Sequence, residues 1–257
     1  MKLHRIVCAV LLVLAVMTPL LAQDVDVPAL MAQGDAASDQ SDYENAAVAY
    51  IKVLKIDPVN YEAHWKAGDM YTELADQLSE KQKDQKEAFF IKAEEYCLKA
   101  VEVNPQGWEG HAKLSVVYGR LGLFRGGKEK VKLAQKVRAE AEKAVEINPE
   151  SALAMHVLGR WHQNVADLSG LLKFFAKKLY GEELKGSHKE AVDWFKKAAV
   201  IEPEIMRHHY QLGVSYKALK KNDLARTSLE AAVALEPEND EEIGFLKEAQ
   251  KLLKKLK

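Results

Sequence analysis

The stretch from Ile201 to Pro237, IEPEIMRHHYQLGVSYKALKKNDLARTSLEAAVALEP, decides the fold. It opens and closes with an apolar residue, a glutamate and a proline, and Gly213 lies between the two prolines. Proline has no amide hydrogen and its ring clashes with the preceding helical turn, so it marks helix ends. The stretch is therefore predicted to form two helices, with the small Gly213 at the point where they approach each other closely.

The same pattern of an apolar residue, a polar residue and a proline recurs along the chain. An apolar residue followed by Asp, Asn or Glu precedes each of five prolines, namely Pro58, Pro105, Pro149, Pro203 and Pro237. A small residue stands ten positions after each of the first four prolines: Gly68, Ser115, Gly159 and Gly213. This pattern resembles the tetratricopeptide repeat, a helix–turn–helix of 34 residues. Such repeats stack into a solenoid, because each one buries its apolar face only against its neighbours.

The predicted fold is all-α, a tetratricopeptide-type right-handed helical solenoid with long inter-helix insertions. The insertions are expected because the three middle repeats are longer than the first and the last. Among them, residues 80–85 are predicted to be an exposed turn, and Leu171 to Tyr180 an extra amphipathic helix. An apolar stripe from Glu241 to Lys257 predicts a C-terminal capping helix, with a coiled-coil arm as the alternative. The predicted boundaries are 27–60, 61–107, 108–151, 152–205 and 206–238 for five repeats, and 239–257 for the capping helix.

The N-terminal 22 residues are typical of a signal peptide. Lys2 and Arg5 precede an unbroken apolar run from Ile6 to Met17, and Ala22 offers a small residue for cleavage. The run is too short for a spanning helix, which needs about 20 apolar residues. The sequence thus predicts an exported protein, periplasmic or secreted in a bacterium, with an uncleaved N-terminal anchor as the alternative. Cys97 is then the one cysteine of the mature chain, and it is expected to be buried in a helix core.

Composition and motifs argue against several functions. The 37 Lys and Arg residues nearly balance 38 Asp and Glu residues, so no basic field favours nucleic-acid binding. The 14 glycines and 7 prolines are too few for a collagen or a low-complexity chain. No hydrolase, phosphate-loop or C-x-x-C motif occurs, which predicts a protein that is not an enzyme and needs no cofactor. The histidines lack metal-ligand spacing, so no metal is expected and packing or groove positions are predicted for most of them.

The fourth repeat carries a more specific signal. His156, Gly159 and Trp161 form an H-x-x-G-x-W stretch, followed by the insertion FAKKLY at 175–180. These residues and the insertion lengths resemble the regulator of microtubule dynamics family. The resemblance implies an all-helical binding domain without enzymatic activity, whose eukaryotic relatives are associated with microtubules and organelle membranes. The N-terminus departs from those relatives, and an exported bacterial relative is expected.

Tetratricopeptide arrays generally bind extended peptides on their concave face, and mapping that face onto this chain gives the candidate binding residues. Acidic groove positions fall early in the chain and basic ones late. The hypothesis is a protein or peptide partner whose carboxylate or acidic segment occupies the basic half, with an ordinary solvated face as the alternative. The candidate partner-binding residues are Trp65, Arg120, His156, Arg160, Asn164, Arg207, Tyr210 and Lys217.

The basic amphipathic segment 171–180 suggests an alternative function. Lys173, Lys177 and Lys178 alternate with Phe174 and other apolar residues. Such a helix can lie on an anionic membrane, which would make the protein a membrane-peripheral assembly or tethering factor. It can equally pack its apolar face on the solenoid and leave its lysines in water.

Overall fold

The computed structural model describes residues 26–180 and 184–256, without the side chains of Glu80, Tyr180 and Asp240. The predicted signal peptide lies outside the described residues. The described part contains only helical elements, and it forms a right-handed solenoid as predicted. In chain order the helices are α1 (Val27–Asp39), α2 (Tyr43–Ile56), α3 (Tyr61–Gln77), α4 (Lys83–Val103), α5 (Trp108–Arg125), α6 (Gly127–Ile147), α7 (Ala152–Ala166), α8 (Gly170–Tyr180), α9 (His188–Ile201), α10 (Met206–Ala218), α11 (Asn222–Val233) and α12 (Asp240–Lys255).

The helices pair in the way that the small residues predict. Gly159 of α7 lies against the Phe195 ring of α9, where an added Cβ would collide with the ring. Gly68 of α3 meets the sulfur of Cys97 on α4 in the same way, and Cys97 is buried as predicted. Because a methyl group would push each helix pair apart, these glycines fix the close approach within a repeat.

The turns at Asn104–Pro105 and Asn148–Pro149 have a local cause. Asn104 and Asn148 each accept a hydrogen bond from the amide two residues further on, at 3.1 and 3.0 Å. This side-chain turn competes with continuation of the helix. The proline that follows cannot be accommodated in a continuing helix, so the helix stops there. The second helix of a repeat therefore ends here, and the next repeat begins.

Three histidines join the start of one repeat to the end of the previous one. His64, His111 and His209 each lie six residues after a proline, and a ring nitrogen of each bonds to that proline's carbonyl oxygen, at 2.9, 3.1 and 2.7 Å. The ring satisfies a carbonyl that the helix end leaves without an amide partner. These three rings therefore have structural roles, in agreement with the packing role expected for most histidines.

Two insertions differ in how well the sequence predicted them. The helix expected at 171–180 is α8, which is confirmed, and Ala176 on its inner face is fully buried. The turn expected at 80–85 is shorter, because residues 80–82 form one 3₁₀ turn and α4 already begins at Lys83. The Ser79 hydroxyl donates to Gln82 at 2.9 Å, which closes the turn early.

The C-terminal helix α12 caps the last repeat. Ala249 and Leu256 are buried in the same apolar cluster as Leu229 of α11. The guanidinium of Arg226 donates to the backbone carbonyl of Leu256, which ties the end of α12 to α11. The predicted capping helix is thus confirmed, and a free coiled-coil arm is not.

Candidate binding groove

The first helices of successive repeats, α3, α5, α7 and α10, lie side by side and form the concave face. A cavity of about 520 Å³ opens on this face, and α12 contributes to one of its walls. This volume is within the range of sites that hold a small molecule or a short peptide segment. Apolar side chains from α3, α5, α7 and α12 line part of it: Trp65, Trp108, Leu123, Leu153, Val157 and Phe245.

We call the carboxylates of α3, Asp69, Glu73 and Asp76, the acidic end of the groove. Asp69 is paired with Lys113 of α5 at 2.6 Å, and Asp76 with Arg120 of α5 at 2.9 Å. Both cations come from the next repeat, so these pairs connect neighbouring repeats. The pKa of Glu73 is raised to about 7 by burial, reinforced by the negative charges of Asp69 and Asp76.

Arg120 is shared between two distant parts of the chain. Besides Asp76, its guanidinium contacts the carboxylate of Glu241 in the first turn of α12, at 2.9 Å. Burial alone would lower the pKa of Arg120, but the charges of Asp76 and Glu241 outweigh it and raise the pKa. Arg120 lines the groove as predicted, but its charge is already neutralised from both sides.

We call Arg160 of α7 and Arg207 of α10 the basic end of the groove. Arg160 donates to the side-chain carbonyls of Gln211 and Gln163, at 2.8 and 3.2 Å. Burial lowers the pKa of Arg160, and the charge of Arg120 lowers it further. Within residues 26–180 and 184–256, no carboxylate pairs with either arginine, and the buried Nε of Arg207 has no hydrogen-bond partner. Two partly buried cations therefore face the cavity without a carboxylate at ion-pair distance, although the charges of Glu241 and Asp167 act on Arg160 from further away.

A pair of neutral histidines lies beside the basic end. The Nδ1 atoms of His156 and His208 are 2.9 Å apart, and Nε2 of His208 is 3.3 Å from the Glu202 carboxylate. Burial lowers the pKa of His208 to about 3, with Arg207 adding to the effect. Burial also lowers the pKa of His156 well below its usual range, with His208 and Arg207 adding to the effect. In the described residues, no group of three or more His, Cys, Asp or Glu side chains is arranged so that it could hold a metal ion.

The other predicted residues divide into two groups. Trp65 and Asn164 line the cavity, and Asn164 accepts a hydrogen bond from Lys130 at 3.0 Å. Tyr210, predicted as a partner-binding residue, has its ring stacked on Phe245 of α12, with ring centroids 5.0 Å apart. Lys217 falls in the last turn of α10 and is not among the residues lining the cavity.

Several residues that shape the cavity were not predicted, among them Lys130, Gln211, Glu241 and Phe245. Lys130 comes from α6, a second helix, and Gln211 is one position after a mapped groove position. Glu241 and Phe245 come from the capping helix, which no repeat pattern places in the groove. The glutamate and phenylalanine one turn apart were visible in the sequence, but nothing in it indicated that this face would turn toward Arg120.

The outer surface of α8 is a second candidate site. Leu172, Phe175 and Ala176 face the core, while Leu171 and Phe174 remain 77% and 66% exposed. Lys177 and Lys178 on the same helix are also exposed. The exposed side chains of α8 are therefore Leu171, Phe174, Lys177, Lys178 and Leu179. The packing prediction is therefore correct for one face, while the other face keeps three large apolar side chains in water. In the part of the chain that the structure describes, no helix combines the length and apolar character needed to cross a bilayer.

The model of the family described as regulator of microtubule dynamics protein 1-3 matches residues 30–257. The chain belongs to this family. It is 28% identical to regulator of microtubule dynamics protein 1 of Bos taurus over 179 residues, which cover 69% of this chain and 56% of the bovine protein. With the Mus musculus protein of the same name it shares 25% identity over 228 residues, 88% of this chain and 74% of the mouse protein. The chain thus spans little more than half the length of the bovine relative that it matches.

Solved structures agree on the fold. A thermophilic tetratricopeptide-repeat protein of Thermus thermophilus superposes with a TM-score of 0.63 at 17% identity, covering 88% of this chain and all of that protein. The MamA protein gives a TM-score of 0.50 at 20% identity over 81% of this chain and 90% of its own. These likenesses establish the tetratricopeptide solenoid fold.

Proposed function

We propose that the chain is a non-enzymatic scaffold whose concave groove binds an acidic peptide segment of a partner protein. The observation that carries this proposal is the basic end, where Arg160 and Arg207 have no carboxylate partner in the described part of the chain. Removing a cation from water without pairing it costs free energy that a folded chain ordinarily avoids. Residues that lower the stability of the fold in this way are typical of functional sites.

The chemistry of the groove fits a carboxylate attached to an apolar body. A guanidinium group binds a carboxylate through two parallel hydrogen bonds, and two such groups here lie on adjacent repeats. Trp65 and Trp108 line the same cavity, and buried aromatic side chains are the usual anchors of a peptide ligand. The neutral His156 adds a polar ring without adding charge.

The test is selection from a display library of peptides with free acidic C-termini, followed by affinity measurements on the selected peptides. The double variant Arg160→Ala, Arg207→Ala should bind them at least about tenfold more weakly, as expected for losing charge-assisted hydrogen bonds. The control variant Arg125→Ala removes a guanidinium that pairs with Glu87 outside the groove, and it should bind normally. Equal binding by the double variant and the wild type would contradict the proposal.

We also propose that the protein acts outside the cytoplasm, because the signal-peptide pattern of residues 1–22 supports export. N-terminal sequencing of the protein recovered from its native cells should find Gln23 as the first residue. Recovery of an intact Met1 with the soluble cytosolic fraction would contradict export. Crosslinking and pull-down from the envelope fraction would then identify the partner.

A second candidate function is peripheral membrane contact through α8. The exposure of Leu171 and Phe174 next to Lys177 and Lys178 favours it, because apolar residues flanked by lysines bind anionic bilayers. The double variant Leu171→Ser, Phe174→Ser should lose flotation with phosphatidylserine-containing liposomes. Val200→Ser is the matched control, since Val200 is an apolar residue that is 81% exposed on another helix. If wild-type protein does not float, this candidate is excluded.

A further inference from the structure

Side chains in the first turns of α12 contact both the third repeat and the last repeat. Glu241 contacts Arg120, which precedes it by 121 positions in the chain, and Phe245 stacks on Tyr210. Both α12 residues line the cavity. Residues four apart on a helix share one face, so the carboxylate and the ring are presented to the groove together.

The two halves of α12 are held very differently. Ala249 and Leu256 in the second half are buried in the core of the last repeat. In the first half, the contacts with the groove that the described side chains make are one ion pair and one ring stack. Glu241 itself is 45% exposed, and an ion pair of that kind contributes little stability.

Gly244 separates the two groove contacts. A Cβ at this position would meet no atom within 4 Å, so packing does not require glycine there. Glycine inside a helix weakens it by roughly 1 kcal/mol relative to alanine. The first turn of α12 has its own cap, because Asn239 accepts from the Glu242 amide and the buried Glu242 carboxylate accepts from the Glu238 amide. Its attachment to the groove, by one ion pair and one ring stack, is weaker than the burial that anchors the second half.

We propose that the segment Glu241–Phe245 is an internal ligand of the groove, and that the partner carries a helix with a glutamate and an aromatic residue one turn apart that displaces it. The inference rests on the proposed function and names the chemical class of the partner. When Glu241 leaves, Arg120 loses one of its two ion-pair partners and keeps Asp76, so more of its positive charge is added to the charges of Arg160 and Arg207. An incoming acidic helix then restores the neutrality that Glu241 supplied.

The probe is a fluorescent peptide with the sequence of residues 238–250 of this chain, ENDEEIGFLKEAQ, followed by anisotropy. A vacated full-length variant, Glu241→Gln with Phe245→Ala, should bind it at least about tenfold more tightly than the wild type does, because the internal competitor is gone. The matched control, Ile243→Ala with Glu248→Gln, removes one apolar group and one carboxylate from the same helix and should bind as the wild type does. A vacated variant that binds no more tightly than the control overturns the inference.

Two further measurements separate this inference from the proposed function. If Arg160 and Arg207 are needed for library peptides but vacating the groove changes nothing, the proposed function stands and the internal ligand is refuted. If the vacated variant binds the α12 peptide through Arg120 and without Arg160 or Arg207, the internal ligand stands and the proposed function falls.

Hydrogen exchange covers the case in which the vacated variant does not fold. Saturating the wild type with a selected library peptide should increase amide exchange in residues 241–246 and leave residues 249–255 protected. Unchanged protection of residues 241–246 would overturn the inference without any variant.

Discussion

The acidic and basic ends of the groove differ in whether their charged side chains have a partner of opposite charge. At the acidic end, Asp69 and Asp76 each have a cation from the neighbouring repeat within 3 Å. At the basic end, Arg160 and Arg207 have amide oxygens or no partner, and no carboxylate of the described residues pairs with them. Asp69 and Glu73 of the acidic end line the same cavity as Arg160 and Arg207 of the basic end.

This difference separates structural charge from binding charge. A carboxylate neutralised from the next repeat contributes to the nearest-neighbour contacts on which a solenoid depends. A guanidinium left without an anion contributes nothing of that kind, and the fold tolerates its desolvation. The sign of a charged groove residue thus says less about ligand binding than whether another side chain of the same chain already neutralises that charge. Arg120 belongs by this criterion to the acidic end, although its sequence position suggested a binding residue.

The largest effect is expected from breaking the neutralised end. Arg120→Met leaves Asp76 and Glu241 without their cation, and we expect the free energy of unfolding to fall by about 2 to 3 kcal/mol, between the values for surface and buried pairs. Urea unfolding monitored by circular dichroism measures this change. Arg125→Met removes an outer pair with Glu87 and should cost less than about 0.5 kcal/mol. Equal losses in the two variants would mean that the acidic end has no special structural role.

A smaller effect, dependent on pH, is expected at Glu73. Its pKa of about 7 in the folded chain lies above the ordinary value of 4.5, so the folded protein binds more protons than the unfolded chain between these values. Stability therefore decreases as the pH rises from 4.5 to 7. Glu73→Gln removes this loss and should be more stable than the wild type by about 1 to 2 kcal/mol at pH 8, with no gain from this source at pH 4.

Urea titrations at both pH values measure the Glu73 effect. Glu62→Gln is the matched control, because Glu62 lies on the same helix with an exposed carboxylate paired with Lys66. A Glu73→Gln variant whose advantage is the same at pH 4 and pH 8 would contradict the electrostatic explanation.

The helix pairs were predictable because their determinants are local. Gly159 and Phe195 belong to one repeat, and the Asn148–Pro149 turn is decided by adjacent residues. The contact between Arg120 and Glu241 could not be predicted in this way. It depends on the curvature that successive repeats accumulate, and curvature is a property of the whole stack rather than of any repeat.

The candidate site shows the same division. Mapping regular groove positions found Trp65, Arg160 and Arg207, which line the cavity. The same mapping included Lys217, although the cavity ends before the last turn of α10. It also included Tyr210, whose ring is stacked on Phe245 of the capping helix, because a repeat pattern carries no information on what that helix covers.

The smallest effect on stability is expected at the basic end. This small effect distinguishes the basic end most clearly from the acidic end. Arg160→Gln keeps an amide donor for Gln211 and removes a cation with which no carboxylate of the described residues forms an ion pair. We expect the free energy of unfolding to change by less than about 1 kcal/mol, in either direction, since the lost hydrogen bonding and the lost desolvation cost oppose each other. Urea unfolding and peptide affinity should be measured on the same preparation. A variant that keeps its stability but loses ligand assigns Arg160 to binding, whereas a loss comparable to that of Arg120→Met would place it with the structural charges, and the two ends of the groove would then not differ.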